Sequence, residues 1–487
     1  MNDGDRIPQE IVKFFKIYPG QILLIKGKPG TGKTILSFEI LKEICEERNG
    51  LYVSTRVNPE KIYHLFPWIK DIVTERNVIN ATPKRLHEAL RLSGSFLNRP
   101  FGFDAALNFF RMLYEDAEEM NNPVVVIDSW DAMLGSLNLQ NNRASFTQSI
   151  CDFCHETRTH LILVSETDRL EDLDYIVDGI VTLLDVDMHD VKDKPYVEYS
   201  RSRTLRQIRI DKLRGLERKM KRYVFSLQNG RFKYFPPSRD VRVIEAEPLP
   251  DIDEMHRSSG IKDFDKISGG LKRGELTLFV VEEGVGLRYV PFLDQIAINL
   301  SSKGLGVVRL RSVGSISPED RELEERYNGI YSYKPESWIT WRLEKLFPSA
   351  EEYMNFLETV RKDKADLLEF SLMESRKEYL IFLEKLMRKH SGIVEILGLD
   401  IFEILYGPEN TLKLLDEAIS RALRNNEALI AIAKKGMKSL EMMTQLAAAR
   451  FVFKDILGNL FIYGEQPRTG LYHVSSSRNG IHLTPIV

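Results

Sequence analysis

Short, wholly apolar runs alternate along this chain with longer stretches whose apolar residues recur at helical spacing. In the first half the runs are Ile22-Leu23-Leu24-Ile25, Leu51 to Ser54, Pro123 to Ile127 and Leu161 to Val164. Leu173 to Val181 then leads towards a further strand. Between them, Ile35 to Glu46 and Phe101 to Met120 read as helices, the first closed by Gly50. Strands without polar alternation are buried on both faces. The pattern therefore predicts an α/β fold, a mostly parallel sheet with helices on both faces.

Pro236-Pro237 ends this region, and a proline- and acid-rich stretch through Asp251 reads as a linker. The pattern then restarts with Gly269-Gly270-Leu271-Lys272-Arg273-Gly274 and the apolar run Leu276 to Val281. The expected organisation is a first domain over 1–237, a linker over 238–256 and a second domain over 257–487. Within the second, 318–389 is charged, helix-prone and rich in aromatics such as Trp338, Trp341, Tyr353 and Phe356. It reads as a helical insertion, either an extra core layer or a partner-docking surface. Leu412 to Leu423 has helical spacing and reads as core.

Length agrees with this division, because 487 residues exceed what one core holds. A net charge of −3 at pH 7 creates no global field towards nucleic acid or membrane, so such binding would need a local patch. No apolar run reaches the roughly 18 residues that span a bilayer. The start, Met1-Asn2-Asp3-Gly4-Asp5, is unlike a secretory signal, and the expected location is cytoplasmic. The three cysteines, Cys45, Cys151 and Cys154, are too few for a disulfide framework. Cys151-Asp152-Phe153-Cys154-His155 spells a c-type haem attachment pattern, yet it lies in what reads as an amphipathic helix carrying two buried or half-buried thiols.

The chemistry begins at Gly27-Lys28-Pro29-Gly30-Thr31-Gly32-Lys33-Thr34, set between the first strand and the first helix. The glycines let backbone N–H groups close around phosphate oxygens, and the helix N-terminus adds a favourable dipole. Lys33 can reach the β- and γ-phosphates and the Thr34 hydroxyl can ligate Mg²⁺. Asp128 ends an apolar strand, the position from which a carboxylate reaches the Mg²⁺ shell beside Thr34. Ser165 ends another strand, where it either contacts a γ-phosphate or the attacking water, or simply caps.

The loop, "VVVIDSWDAM", "LILVSE" and "LDYIVDGIV", in this order over about residues 15 to 235, resemble the KaiC-like branch of the RecA superfamily. Within that branch "PQEIVKFFKIYPGQILLIKGKPGTGKT" and "YVSTRVNPEKIY" are most similar to the archaeal gas vesicle protein GvpD family. The resemblance implies ATP with Mg²⁺, a homo-oligomer such as a ring, and Lys212 and Arg214 reaching a neighbouring subunit's nucleotide. It also implies a regulatory role on a protein partner such as a transcription regulator.

One departure stands out. Where KaiC-like ATPases place paired glutamates that activate water, this chain has Arg56 and Val57, and a guanidinium cannot act as that base. Glu60, Asp131 and Glu166 are the candidates to replace it, and Arg56 is a candidate phosphate contact. A slow ATPase, a non-hydrolysing ATP-sensing scaffold and a recombinase-like DNA-binding ATPase remain as alternatives. The last is least favoured, because 136–144 lacks clustered basic and glycine residues. Arg201 to Arg222 carries ten Lys/Arg against Asp211 and Glu217. It reads as a solvated face, a subunit interface around nucleotide or a nucleic-acid patch, the last without interleaved aromatics.

The second half resembles a degenerate copy. Aligning Gly284 and Gly286 with Gly30 and Gly32 puts Leu287 and Arg288 in place of Lys33 and Thr34, with Glu282 and Glu283 adding negative charge. Ile396 to Asp400 mirrors the strand that ends in Asp128.

Overall fold

The computed structural model describes residues 6–45, 49–71, 77–82, 123–137, 139, 142–166, 173–188, 203–237, 247–310, 312, 329–332, 377, 379–477 and 479–487. The chain divides into two units, Met1–Pro236 with Ile486–Val487, and Pro237–Pro485.

In unit 1 the described elements run α1 (Gln9–Ile17), β1 (Ile22–Gly27), α2 (Lys33–Ile44), β2 (Gly50–Ser54), α3 (Pro59–Leu65) and β3 (Val78–Asn80). They continue with β4 (Val124–Asp128), α4 (Trp130–Ser136), α5 (Arg143–Thr157), β5 (His160–Val164) and α6 (Leu173–Ile176). The strands β6 (Gly179–Met188), β7 (Arg203–Leu213), β8 (Arg222–Ser226) and β9 (Lys233–Phe235) complete it. The sheet order is β3-β2-β4-β5-β1-β6-β7-β8-β9. From β3 to β6 every pairing is parallel. The last three strands extend the sheet antiparallel.

The apolar run of β1 is explained by its central place. Leu23 and Ile25 pack with Ile11, Phe14 and Phe38 from α1 and α2. Ile22 and Leu24 pack on the opposite face with Trp130, Phe146 and Ile150 from α4 and α5. A strand buried on both sides needs apolar residues at every position. Its buried cation, Lys26, is held by both carboxylate oxygens of Asp174 at 3.0 Å. Cys151 and Cys154 lie in the α5 core face, and burial pushes the Cys154 thiol up to about 12.

Unit 2 opens with β10 (His256–Arg257), α7 (Lys262–Ser268), β11 (Leu271–Lys272), β12 (Leu276–Val281), α8 (Val290–Ser301) and β13 (Gly306–Leu310). It continues with β14 (Ile330–Ser332), β15 (Ile393–Gly398), α9 (Leu399–Asn425), β16 (Leu429–Lys434) and α10 (Leu440–Leu446). It ends on β17 (Ala449–Ile456), β18 (Asn459–Gln466), β19 (Tyr472–Ser477) and β20 (Gly480–Pro485). Its main sheet has the order β14-β13-β15-β16-β12-β17-β18-β19-β20. Strand for strand, this is the order of unit 1. The chain therefore holds a P-loop α/β unit and a second unit with the same sheet topology.

The second core is aromatic. Phe279 on β12 lies 5.5–5.9 Å, ring centre to ring centre, from Phe264, Phe292, Phe451 and Phe453. The range expected as a helical insertion, 318–389, is different in part. Ile330–Ser332 pairs parallel to β13 as the sheet's edge strand, a segment too short to show a period in sequence. Residues 379–387 are helical, and Tyr379, Leu383 and Leu386 bury against Val308 and Ile393 as an added core layer. Trp338, Trp341, Tyr353 and Phe356, like the expected helix Phe101 to Met120, lie outside the described residues. The end of the expected linker is fixed to unit 2, where Asp251 pairs with Arg257 at 2.8 Å and Lys303 at 2.5 Å. No helix among the described residues is long and apolar enough to cross a membrane.

Phe279→Ala, which empties the centre of the aromatic cluster, is expected to lower the unfolding free energy of unit 2 by about 3–5 kcal/mol. Urea titration of the full chain, followed by circular dichroism, checks this.

Candidate functional site

β1 delivers the chain to the carboxyl edge of the sheet, where the loop 28–32 turns into α2. Two glycines are required sterically. Gly27 has φ +154°, and a Cβ there would lie 2.7 Å from Thr31 Oγ1 and 2.8 Å from the Leu183 carbonyl oxygen. Gly32 caps α2 at φ +95°, and a Cβ would meet the Leu227 side chain at 2.7 Å. Gly30, at φ +84°, faces open space. Lys28, Pro29 and Gly30 are exposed, whereas Thr31 is buried and donates from Oγ1 to the Lys28 carbonyl at 2.9 Å.

Lys33 folds over this loop. Its ammonium donates to the carbonyls of Gly27 at 2.7 Å and Lys28 at 2.8 Å. The side chain is buried, and that burial depresses its pKa; Asp128, Glu166 and Asp131 oppose the shift, and Arg56 adds to it. Five ionic groups from five segments thus converge at the end of the sheet. Thr34, in the first turn of α2, donates to Asp128 Oδ2 at 2.5 Å. Tyr52 on β2 donates to the same oxygen at 2.6 Å. The phenol is raised well above its ordinary range, first by burial and then by the neighbouring carboxylate. Phe38 stacks on its ring at 4.3 Å.

On the far side, Arg56 pairs with Glu166 at 2.7 Å, and the Glu166 N–H donates to Asp131 at 2.7 Å. Asp131 also pairs with Arg143 at 2.9 Å. Arg56 therefore pairs with one of the three candidate acids, and a second, Asp131, is bonded to the backbone of the first. Glu60 sits in the first turn of α3, where its N–H bonds the Asn58 cap. Ser165, 1 % exposed at the end of β5, has a hydroxyl without a hydrogen-bond partner among the described residues. Such a buried hydroxyl is free to bond water or a bound group.

Lys212 and Arg214 lie at the other end of the sheet's central strands. Lys212 donates to the carbonyls of Asp174 and Val177, at 3.0 and 2.6 Å. Arg214 pairs with Asp178 at 2.8 Å and keeps a largely exposed side chain. The described part of the basic segment runs along β7 and into β8, and several of its cations are held within the chain. Arg209 pairs with Asp211, and Arg218 donates to the carbonyls of Ile210 and Asp211.

Three contacts escaped the sequence reading. Tyr52 was concealed in an apolar run, and the Asp131–Arg143 pair joins helices with no shared motif. Arg206 reaches the Gly30 carbonyl at 3.3 Å from 176 residues away, while pairing with Asp185 at 2.9 Å.

The glycine cradle, the orphan Ser165 hydroxyl and the loop-bound lysine fit a nucleotide's phosphates. The Thr34 hydroxyl and Asp128 carboxylate supply hard oxygen donors side by side, the donor type Mg²⁺ accepts. Sheet order and loop together place unit 1 among the P-loop domains of the RecA and KaiC type. Residues 11–211 match the family described as GvpD gas vesicle protein, P-loop domain, so the chain carries a P-loop domain of the GvpD family. Two relatives from Halobacterium salinarum are similar over part of their length. Protein GvpD2 is 31% identical over 286 residues, 55% of this chain and 53% of that protein. Protein GvpD1 is 28% identical over 280 residues, 55% of this chain and 49% of that protein. The chain thus spans about half the length of these relatives.

The register of the two sheets allows the same positions to be located in unit 2. Ile25 pairs with Val164, and Val164 with Asp128. Phe279 pairs with Ile432, and Ile432 with Gly398. Gly398 therefore occupies the place of Asp128. Asp400, expected to mirror it, lies two residues on, inside α9, and pairs with Lys434 at 2.8 Å. By the same register Ala433 replaces Ser165 and Lys434 replaces Glu166.

Tyr52→Phe keeps the stack on Phe38 but leaves Asp128 one donor short. Unit 1 is expected to lose about 1.5–3 kcal/mol of stability, the range for a hydrogen bond to a charged group. Urea unfolding of the variant beside the parent protein measures it.

Proposed function

We propose that unit 1 binds Mg-ATP and that the chain is an ATP-dependent switch with slow turnover, acting on a protein partner. The convergence of Lys33 on the loop carbonyls with Thr34 and Asp128 on one hydrogen bond is the observation that carries this reading. In it, Gly27 to Thr34 hold the phosphates, Lys33 balances their charge, and Thr34 and Asp128 hold the metal. Bound Mg²⁺ would neutralise charge on the β- and γ-phosphates. Ser165 offers its unpartnered hydroxyl to the terminal phosphate or to water.

Slow turnover follows from the acids present. Glu166 and Asp131 are both engaged by arginines, so neither is a free base like the glutamates they replace. A non-hydrolysing, ATP-sensing scaffold is the second reading, favoured by the Arg56–Glu166 pair. In unit 2, Leu287, Arg288 and Gly398 remove the lysine, the metal hydroxyl and the carboxylate, and we assign that unit no nucleotide. Lys212 and Arg214 are proposed to act across a homo-oligomer interface, the exposed Arg214 being the better placed. The GvpD relationship supports a gas-vesicle-type regulatory setting, a transcription regulator as partner, and a cytoplasmic site of action.

Lys33→Ala is expected to abolish Mg-ATP binding measured by calorimetry, and any hydrolysis with it. Unchanged affinity would overturn the assignment. Turnover by the parent protein that Glu166→Gln removes, with binding kept, would identify Glu166 as the substitute base.

A further inference from the structure

Each unit builds the same bridge between its glycine loop and the strand beside it, with an arginine drawn from a different place. In unit 1, Gly27 pairs with Leu183, which puts Asp185 two residues further along β6. In unit 2, Val281 pairs with Phe453, which puts Asp455 at the same step of β17. The two aspartates are therefore equivalent by register. So are the carbonyls of Gly30 and Gly284, in the glycine alignment of the two loops. Between the first pair stands Arg206 from β7, donating to Asp185 at 2.9 Å and to the Gly30 carbonyl at 3.3 Å. Between the second pair stands Arg288, from the loop itself, donating to Asp455 and to the Gly284 carbonyl, the latter at 2.6 Å.

The consequences for the two loops are opposite. In unit 1 the arginine approaches from the neighbouring strand and leaves the loop's own side chains for other work. Every carbonyl on the exposed turn with a hydrogen-bond role is then held from the chain: Gly27 and Lys28 by Lys33, Lys28 also by Thr31, and Gly30 by Arg206. Because the peptide unit is planar, fixing the Gly30 carbonyl fixes the N–H of Thr31 with it. That N–H closes the turn on the Lys28 carbonyl at 3.4 Å. The loop is thereby set in shape before any ligand arrives, which lowers the ordering cost of binding. In unit 2, Arg288 stands where Thr34 stands in unit 1 and also donates to the Val285 carbonyl at 3.0 Å. Its guanidinium closes the loop on itself. Glu282 beside it is held by Lys454 at 2.7 Å and Lys435 at 3.3 Å.

We propose that Asp185 and Arg206 form a clamp that positions the phosphate loop of unit 1 for nucleotide, and that Arg288 is the rewired form of that clamp which keeps the loop of unit 2 shut. This rests on the Mg-ATP reading of unit 1. Arg206 is a positioning residue. It also gives a role to one cation of the basic Arg201 to Arg222 segment.

The test is calorimetric titration of the full chain with Mg-ATP, beside thermal unfolding without nucleotide. Arg206→Gln is expected to weaken Mg-ATP by about tenfold, the effect of losing one charge-assisted hydrogen bond from a preset site, with the unfolding midpoint little changed. Asp185→Asn is expected to weaken binding less. Added to Arg206→Gln it changes nothing further, because the two act as one unit. Arg206→Lys should recover part of the affinity, since an ammonium can still reach the carbonyl. Arg288→Gln should leave the affinity of unit 1 unchanged. Parent protein that takes up no Mg-ATP would overturn the nucleotide reading and the clamp with it. Parent binding with Arg206→Gln and Asp185→Asn both within about twofold of it would overturn the clamp alone. If Arg206→Gln fails to fold, Asp185→Asn and Arg206→Lys decide the matter by the same criterion.

Discussion

A single carboxylate oxygen, Asp128 Oδ2, ties together three parts of unit 1. It accepts from Thr34 in the first turn of α2 and from Tyr52 on β2, while its own strand β4 lies between β2 and β5. The helix that follows the phosphate loop is thereby locked to a strand two places from β1 in the sheet. Removing the carboxylate would leave a buried phenol and a hydroxyl without this acceptor, so these bonds constrain the fold as well as the site. The loop's lysine, its glycines and the acids beyond it are arranged around this fixed point.

Unit 2 shows what the frame is without that point. Its sheet has the same strand order, its core is a cluster of phenylalanines, and its loop glycines Gly284 and Gly286 keep positive φ. At the register position of Asp128 it has glycine, and the equivalents of Ser165 and Glu166 are alanine and lysine. Its largely buried ion pairs include Arg257 with Glu427 and Arg421 with Glu395. The shared topology and the divergent site separate what the fold requires from what the proposed nucleotide site adds to it.

Much of this was legible in the sequence, and the failures have physical causes. The Lys33 loop and Asp128 were readable because a strand, a glycine turn and a helix leave a local signature and a buried strand's last residue is fixed by pattern. Asp400 misled because two residues past a strand end is already inside a helix, and only the pairing of β15 with β16 shows that Gly398 is the true equivalent. The three-residue edge strand Ile330–Ser332 lies within the range that the pattern predicts as a helical insertion, since so short a segment carries no period. Arg206 and Tyr52 acquire their roles from partners 176 and 76 residues away, and no local pattern encodes such a contact. Arg56 was readable as a departure, but its pairing with Glu166 depends on β2 and β5 ending at the same edge of the sheet.

Of the two units of one topology, only unit 1 is proposed to bind nucleotide. Equilibrium dialysis of the full chain against Mg-ATP measures it directly. The account predicts saturation at one nucleotide per chain. Saturation at two would show that the loop closed by Arg288 still binds, and no uptake at all would show that the arrangement around Lys33 and Asp128 is not a nucleotide site.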